Sequence, residues 1–162
     1  MLVVDIDGCV FDNNHRKNLI PKVANSPACW ARFNDACDKD LPVYTVINFV
    51  NELSKAHGQS LNFVTSRGET SYESTTRQLQ TFFSDFKLYM RPMSDNRHTV
   101  DYKRSVFAKM PLTKNSVIID DHPGIIQMVK NEFSYVNALL VQSHDCTVGI
   151  STTLKIDGLL NK

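Results

Sequence analysis

The tetrad Asp5-Ile6-Asp7-Gly8 places two carboxylates two positions apart, ahead of a glycine, where an apolar run beginning at Leu2 gives out. Carboxylates at the end of a buried strand lose hydration that something must replace. A divalent cation that favours hard oxygen ligands, such as magnesium, can do so. The plainer reading of a lone acidic pair of this kind is a turn or a helix cap. A second pair, Asp120-Asp121, directly follows Val117-Ile118-Ile119, and adjacent like charges repel unless a cation sits between them. Thr65-Ser66-Arg67-Gly68 follows Leu61-Asn62-Phe63-Val64. A hydroxyl, backbone N–H groups and a guanidinium at one strand end form a cradle for phosphate, although Thr and Ser there also suit the cap of a following helix. Lys103, just after Asp101-Tyr102, is suited to neutralising a phosphate or a carboxylate pair, against the ordinary role of a solvated surface lysine.

These groups act together only if the fold brings them to one place. Short, continuous, β-branched runs predict strands over Leu2–Ile6, Leu61–Thr65, Lys87–Met90, Val117–Asp120 and Ala138–Val141. Between them Val43, Val46, Ile47, Val50 and Leu53 recur at helical spacing before a His57-Gly58 stop. Further helices are predicted from about Tyr72 to Phe83, from about Tyr102 to Met110 ahead of Pro111, and from Pro123 onward with Ile125, Ile126 and Val129 inward. Strands alternating with helices imply an α/β fold: three Rossmann-like layers, a mainly parallel sheet with helices on both faces. Ligands of such sheets bind beyond the carboxyl ends of the strands, where both acidic pairs and the Thr65 group stand. The segment 13–41 breaks the rhythm. It is expected to be a loop plus a short helix inserted after the first strand, placed to cover a site. No repeat, low-complexity tract or linker divides the chain, so residues 1–162 are expected to form one domain.

Composition narrows the function classes. A chain of 162 residues that is 42% hydrophobic can bury a sizeable core as one domain. With 18 basic and 17 acidic residues it is not a highly basic nucleic-acid-coating protein, though a local basic rim remains open. Cys9, Cys29, Cys37 and Cys146 form no CxxC pair, and an apolar strand begins at the second residue. No signal peptide is therefore expected, and reduced thiols and a cytoplasmic location are. No apolar run approaches the roughly 20 residues of a membrane span. His57, His98 and His144 show no zinc-ligand spacing. No GxxxxGK[ST] loop is present to support a kinase activity, and the tail from Thr147 carries no interpretable motif.

The ordered set of acids after one strand, Thr-x-Arg after the next, then a lysine, then an acidic pair resembles the four motifs of haloacid dehalogenase-type phosphatases over Leu2 to about Gln142. The resemblance implies a haloacid dehalogenase-type fold with a small cap-like insert at about 13–41. It further implies magnesium-dependent phosphomonoester hydrolysis. In those terms Asp5 is the nucleophile and a metal ligand. Asp7 is the general acid and then base, its backbone carbonyl on the metal. Thr65 binds the transferring phosphoryl group, Lys103 neutralises charge on it and on Asp5, and Asp120 with Asp121 completes the magnesium site. A narrower likeness is to the 3′-phosphatase domain of phage polynucleotide kinase-phosphatases and to related stand-alone phage phosphatases. It is carried by Arg16, by Arg67 after Thr65, by Arg91 in Tyr89-Met90-Arg91-Pro92, and by the Trp30 to Pro42 stretch. It implies substrate contacts from Arg16, Ser66, Arg67 and Arg91, since arginines hold phosphate through paired hydrogen bonds; surface charge is the alternative for each. Cys9, Ser66, His122 and Val129 depart from the usual threonine, glycine, arginine and tryptophan of that pattern.

The implied substrate is a phosphorylated nucleic-acid 3′ end or nucleotide, and, for a phage-encoded chain, the compartment is the host cytoplasm. A 5′(3′)-deoxyribonucleotidase acting on free mononucleotides is an alternative. A catalytically idle phosphate- or nucleic-acid-binding module is another. The sequence leaves oligomeric state open, along with DNA versus RNA and which of Asp120 and Asp121 touches the metal.

Overall fold

The computed structural model describes residues 1–23, 26–144 and 151–155. Its strands are β1 (Leu2–Val4), β2 (Phe11–Asp12), β3 (Leu41–Pro42), β4 (Leu61–Gly68), β5 (Lys87–Arg91), β6 (Val117–Asp120), β7 (Asn137–His144) and β8 (Ser151–Lys155). The α-helices are α1 (Ala31–Asp35), α2 (Tyr44–His57), α3 (Tyr72–Gln80), α4 (Thr99–Phe107) and α5 (Pro123–Glu132). β1 is short and wholly apolar because it lies at the centre of the sheet, pairing in parallel with β4 on one side and β6 on the other. The order is β5-β4-β1-β6-β7-β8, parallel from β5 to β7, with β8 antiparallel to β7.

Side chains alternate across this sheet and seed two cores. Leu2, Val4, Phe63, Ile119 and Leu139 face Val46, Ile47 and Val50 of α2 and Leu79 of α3. Val3, Val64, Ile118 and Ala138 face Phe107 of α4 and Ile125, Ile126 and Val129 of α5. Helices thus cover both faces of a mixed α/β sheet, as the alternating pattern requires. The polar backbone of the parallel strands is satisfied within the ladder, and their side chains are buried on both sides.

The helix boundaries have local causes. α2 ends at Gly58, whose left-handed backbone (φ 55°) lets its N–H bond the carbonyls of Ser54 and Lys55. α3 stops at Gln80, three residues before the predicted end, because Phe82 and Phe83 turn back to the carbonyl of Leu79 and carry Phe83 into the core. α4 starts at Thr99, earlier than the pattern of apolar residues indicated, since His98 caps it by accepting from the Val100 N–H. α5 begins at Pro123 as predicted, capped by His122 through a bond from the Gly124 N–H.

β5 runs one residue past its predicted end, and two strands run well past theirs. β4 continues through the Thr65-Ser66-Arg67 stretch to pair Gly68 with Arg91, with a register irregularity between Val64 and Gly68. The Thr65 group is therefore a kinked strand rather than a free turn. β7 runs on to His144 because β8 pairs with it, and β8 was not foreseen: no motif marks its segment, and an edge strand needs no buried apolar pattern on both faces. Cys146 lies outside the described residues.

The insert is more ordered than a loop. Its ends are tied by β2 and β3, pairing Phe11 with Pro42 and Asp12 with Leu41. Between them lie 3₁₀ turns at Asn14–Leu19, Pro27–Trp30 and Ala36–Lys39 around the five-residue α1. Phe33 and Cys37 are its buried anchors. Among the described residues no helix is long and apolar enough to cross a membrane.

Candidate active site

β1 ends at Val4 and β6 at Asp120, and the Asp5 N–H still bonds the carbonyl of Ile119, so both acidic pairs leave the sheet side by side. One carboxylate oxygen from each of Asp5, Asp120 and Asp121 lies within 4.8 Å of the others. Gly8 makes that approach possible: its φ is +80°, and a Cβ there would lie 2.2 Å from Asp121 Oδ2. The positive φ calls for glycine, and a Cβ there would push the Asp121 carboxylate aside.

Lys103, on α4, is buried rather than solvated. Its ammonium donates to Asp5 Oδ1 at 2.6 Å and to Asp120 Oδ2 at 2.7 Å. Asp120 Oδ1 accepts the His122 N–H at 2.9 Å. One lysine cannot balance three carboxylates. Burial, then the neighbouring charge of Asp120, pushes the Asp121 carboxyl up to about 7, and burial likewise raises Asp5 well above the carboxylate range despite Lys103. The surplus negative charge of three converging oxygens fits a divalent cation with oxygen ligands.

Asp7 points elsewhere. Its side chain is not one of the three converging carboxylates but is clamped by two arginines. Arg67 reaches it through Nε (3.0 and 3.1 Å) and Nη2 (2.7 Å). Arg16 adds a short bond to Oδ1 from Nη2. Burial pulls the Asp7 carboxyl upward, but Arg67 and then Arg16 outweigh it and hold the group below its ordinary range. The same two arginines share Asp40: Arg16 Nε and Nη2 reach it at 2.7 and 2.6 Å, Arg67 Nη2 at 2.7 Å, and His15 Nε2 lies 2.8 Å away. Arg67 Nη1 bonds Thr75 and Gln78 of α3, so each of its nitrogens is engaged by the protein. Arg16 Nη1 donates to the carbonyl of Phe33, and the guanidinium lies over that ring, 4.1 Å from its centroid.

The residues proposed from sequence are thus brought to one place with different surroundings. Asp5, Asp7, Thr65, Ser66, Arg67, Arg91, Lys103, Asp120 and Asp121 all line one cleft of about 610 Å³. Thr65 is buried, its hydroxyl accepting the Arg67 N–H at 3.1 Å. Arg16 does not line the cleft: it is fully buried beneath it, inside the Asp7–Asp40 network. Neither Arg16 nor Arg67 is surface charge. Arg91 is half-buried over the Tyr102 ring, donating to Ser66 Oγ and to the carbonyls of Asp95 and Arg97. It braces the 92–98 loop at the cleft's rim.

Asp40 is a functional residue that no motif in the sequence singles out. In Asp38-Lys39-Asp40 it looks like one member of a solvated charge cluster, yet its side chain is fully buried. The signal that finds it is a balance: two buried arginines need more than one carboxylate. Trp30, Phe33 and Asn34 of the insert complete the cleft wall.

No protein-family model matches the chain, and no curated protein matches it by sequence. Two solved structures share its fold: that of a Pnkp1/Rnl/Hen1 complex, at 22% identity, and that of the Pnkp1/Rnl/Hen1 RNA repair complex, at 23% identity, each with a TM-score of 0.67. Both similarities cover 90% of this chain but only 46% and 43% of the chains matched, so this chain spans less than half their length.

Proposed function

We propose that this chain is a magnesium-dependent phosphatase of the haloacid dehalogenase type. It removes phosphate from a nucleic-acid 3′ end or a nucleotide through an aspartyl-phosphate on Asp5. The observation that carries the reading is Lys103 bridging Asp5 and Asp120 at the mouth of two adjacent strands, with Asp121 alongside. A fixed ammonium there opposes the effect of burial on Asp5 and offers charge to a phosphoryl group on it, the kind of preorganised stabilisation phosphoryl transfer needs. Magnesium would be held by Asp5, Asp120, Asp121 and the Asp7 carbonyl, and would supply charge neutralisation on the phosphoryl oxygens.

The chain's own residues account for the remaining steps. An Asp5 carboxylate oxygen attacks phosphorus, and the bond from phosphorus to the leaving alkoxide breaks as Asp7 gives that oxygen a proton. Water then attacks phosphorus as Asp7 takes its proton, the bond from phosphorus to the Asp5 oxygen breaks, and inorganic phosphate departs with the Asp5 carboxylate regenerated. With two arginines upon it Asp7 stands ionised, the form that accepts the proton of water. Its acid form requires that Arg67 loosen its grip, and an arriving phosphoryl group competes for that same guanidinium. Thr65 Oγ1, Ser66 and the kinked β4 backbone face the same space. An end-processing role also accords with the RNA repair complex named for the structural neighbours.

The test is phosphate release from 3′-phosphorylated DNA and RNA oligonucleotides and from 3′- and 5′-mononucleotides, with and without magnesium, with Asp5→Asn as control. Magnesium-dependent release that Asp5→Asn abolishes is expected. Release confined to mononucleotides would make the enzyme a nucleotidase. Release that persists in Asp5→Asn would sink the covalent route.

A further inference from the structure

The cleft is larger than a phosphate needs. Its volume of about 610 Å³ lies within the range of roughly 300–1,000 Å³ that binds whole small molecules, and the catalytic carboxylates occupy only its floor. One wall comes from the insert. Trp30 closes the 3₁₀ turn Pro27–Trp30, is partly exposed, and lines the cleft. It packs edge-on against Phe33, ring centroids 5.7 Å apart at 84°. Phe33 is itself fixed by the Arg16 guanidinium lying over it. The aromatic wall is therefore locked to the buried arginine network beneath the active site.

Asn34 supplies a second and independent observation. It is buried, with 5% exposure, and lines the same cleft. Among the described residues its carboxamide has no hydrogen-bond partner, whereas its neighbours Arg16, Arg67 and Gln78 are fully engaged. Facing the cleft, the carboxamide offers a donor beside an acceptor, the pattern a base edge also presents. Asn96 and His98, both polar and exposed, also line the cleft.

We propose that Trp30 and Asn34 form a nucleobase subsite that holds the base of the nucleotide whose phosphate reaches Asp5. Trp30 stacks on the base, and the Asn34 carboxamide bonds its edge. This rests on the phosphatase reading above and narrows it: a bare sugar phosphate would leave Trp30 uncovered and Asn34 unpaired. Stacking on an aromatic ring accepts any base, so the subsite selects nucleotides over sugar phosphates more strongly than one base over another.

Trp30 is the only tryptophan of the 162 residues, so the fluorescence of the unlabelled protein reports on this wall directly. In magnesium-free Asp5→Asn protein, thymidine 3′- and 5′-monophosphate are titrated against ribose 5-phosphate and inorganic phosphate. Saturable quenching by a nucleotide, absent with the other two, is expected. In the parent background, Trp30→Ala should lower kcat/KM for a nucleotide relative to ribose 5-phosphate by roughly tenfold or more, chiefly through KM. Trp30→Phe should restore most of that ratio, and Asn34→Ala should lower it. Equal quenching by ribose 5-phosphate, no quenching at all, or an unchanged ratio in Trp30→Ala would overturn the subsite. Failure of the parent reading looks different: nucleotides would quench while no substrate released phosphate, and the subsite would stand without the hydrolysis. Should Trp30→Ala not fold, the titration and the Trp30→Phe ratio still decide.

Discussion

At the scale of single residues, the site is two charge networks sharing one floor. Lys103 serves Asp5 and Asp120, while Arg16 and Arg67 serve Asp7 and Asp40. The second network is the more exacting, because Arg16, Arg67 and Asp40 have side chains wholly removed from solvent. A buried ion pair contributes little net stability over an apolar substitute, yet losing one partner strands the other charge. Asp40→Asn should therefore cost about 3–5 kcal/mol in a urea unfolding experiment. Without Asp40 both guanidinium groups lean on Asp7 alone, so phosphate release should fall as well. A stability loss below about 1 kcal/mol, the level of an ordinary surface change, would show that Asp40 does not anchor the arginines.

Among the elements, the turn after β1 determines whether the two acidic pairs can meet. Gly8 lets the chain reverse at a positive φ, and the Asp121 carboxylate occupies the space a Cβ would take. Gly8→Ala should keep the sheet, judged by far-UV circular dichroism, because β1 pairing ends before it. It should displace the Asp121 carboxylate and abolish any rise in melting temperature on adding magnesium. A variant that still gained the parent's full magnesium stabilisation would place the metal away from Asp121. The insert works at the same scale. β2 and β3 fix its base, and Gln78 of α3 holds its far end through the carbonyl of Cys37.

Over the whole molecule, the imbalance of three carboxylates against one lysine links stability to pH and metal. Asp121 is pushed up to about 7 by burial and by Asp120, and Asp5 is raised by burial. Since the ordinary carboxylate value is about 4, the metal-free fold binds protons more tightly than the unfolded chain does. Its stability is therefore lost as pH rises from about 4 to about 7. A divalent cation replaces those protons, so the gain in melting temperature from magnesium should grow across the same window, each kcal/mol being worth roughly 2–4 °C. Thermal melts with and without magnesium from pH 5 to pH 8 check this. A gain that stayed constant with pH, or that Asp121→Asn kept, would count against a cation among these carboxylates.

The sequence by itself determined the five parallel strands and the four helices that alternate with them, since periodicities of two and of about 3.6 are local and need no knowledge of the fold. It also placed Asp5, Asp7, Thr65, Asp120 and Asp121 at strand ends, because an apolar run that stops at a carboxylate marks where burial stops. What those side chains touch was decided only in three dimensions. Lys103 meets Asp5 across 98 positions, Arg67 meets Asp7 across 60 and Arg16 meets Asp40 across 24. No local pattern separates such a lysine or arginine from a solvated one. The same holds for Asp40 and for the unpaired Asn34, whose burial follows from the insert folding back over the sheet. A charged residue's partner is a property of packing, and packing is what brings distant parts of the chain together.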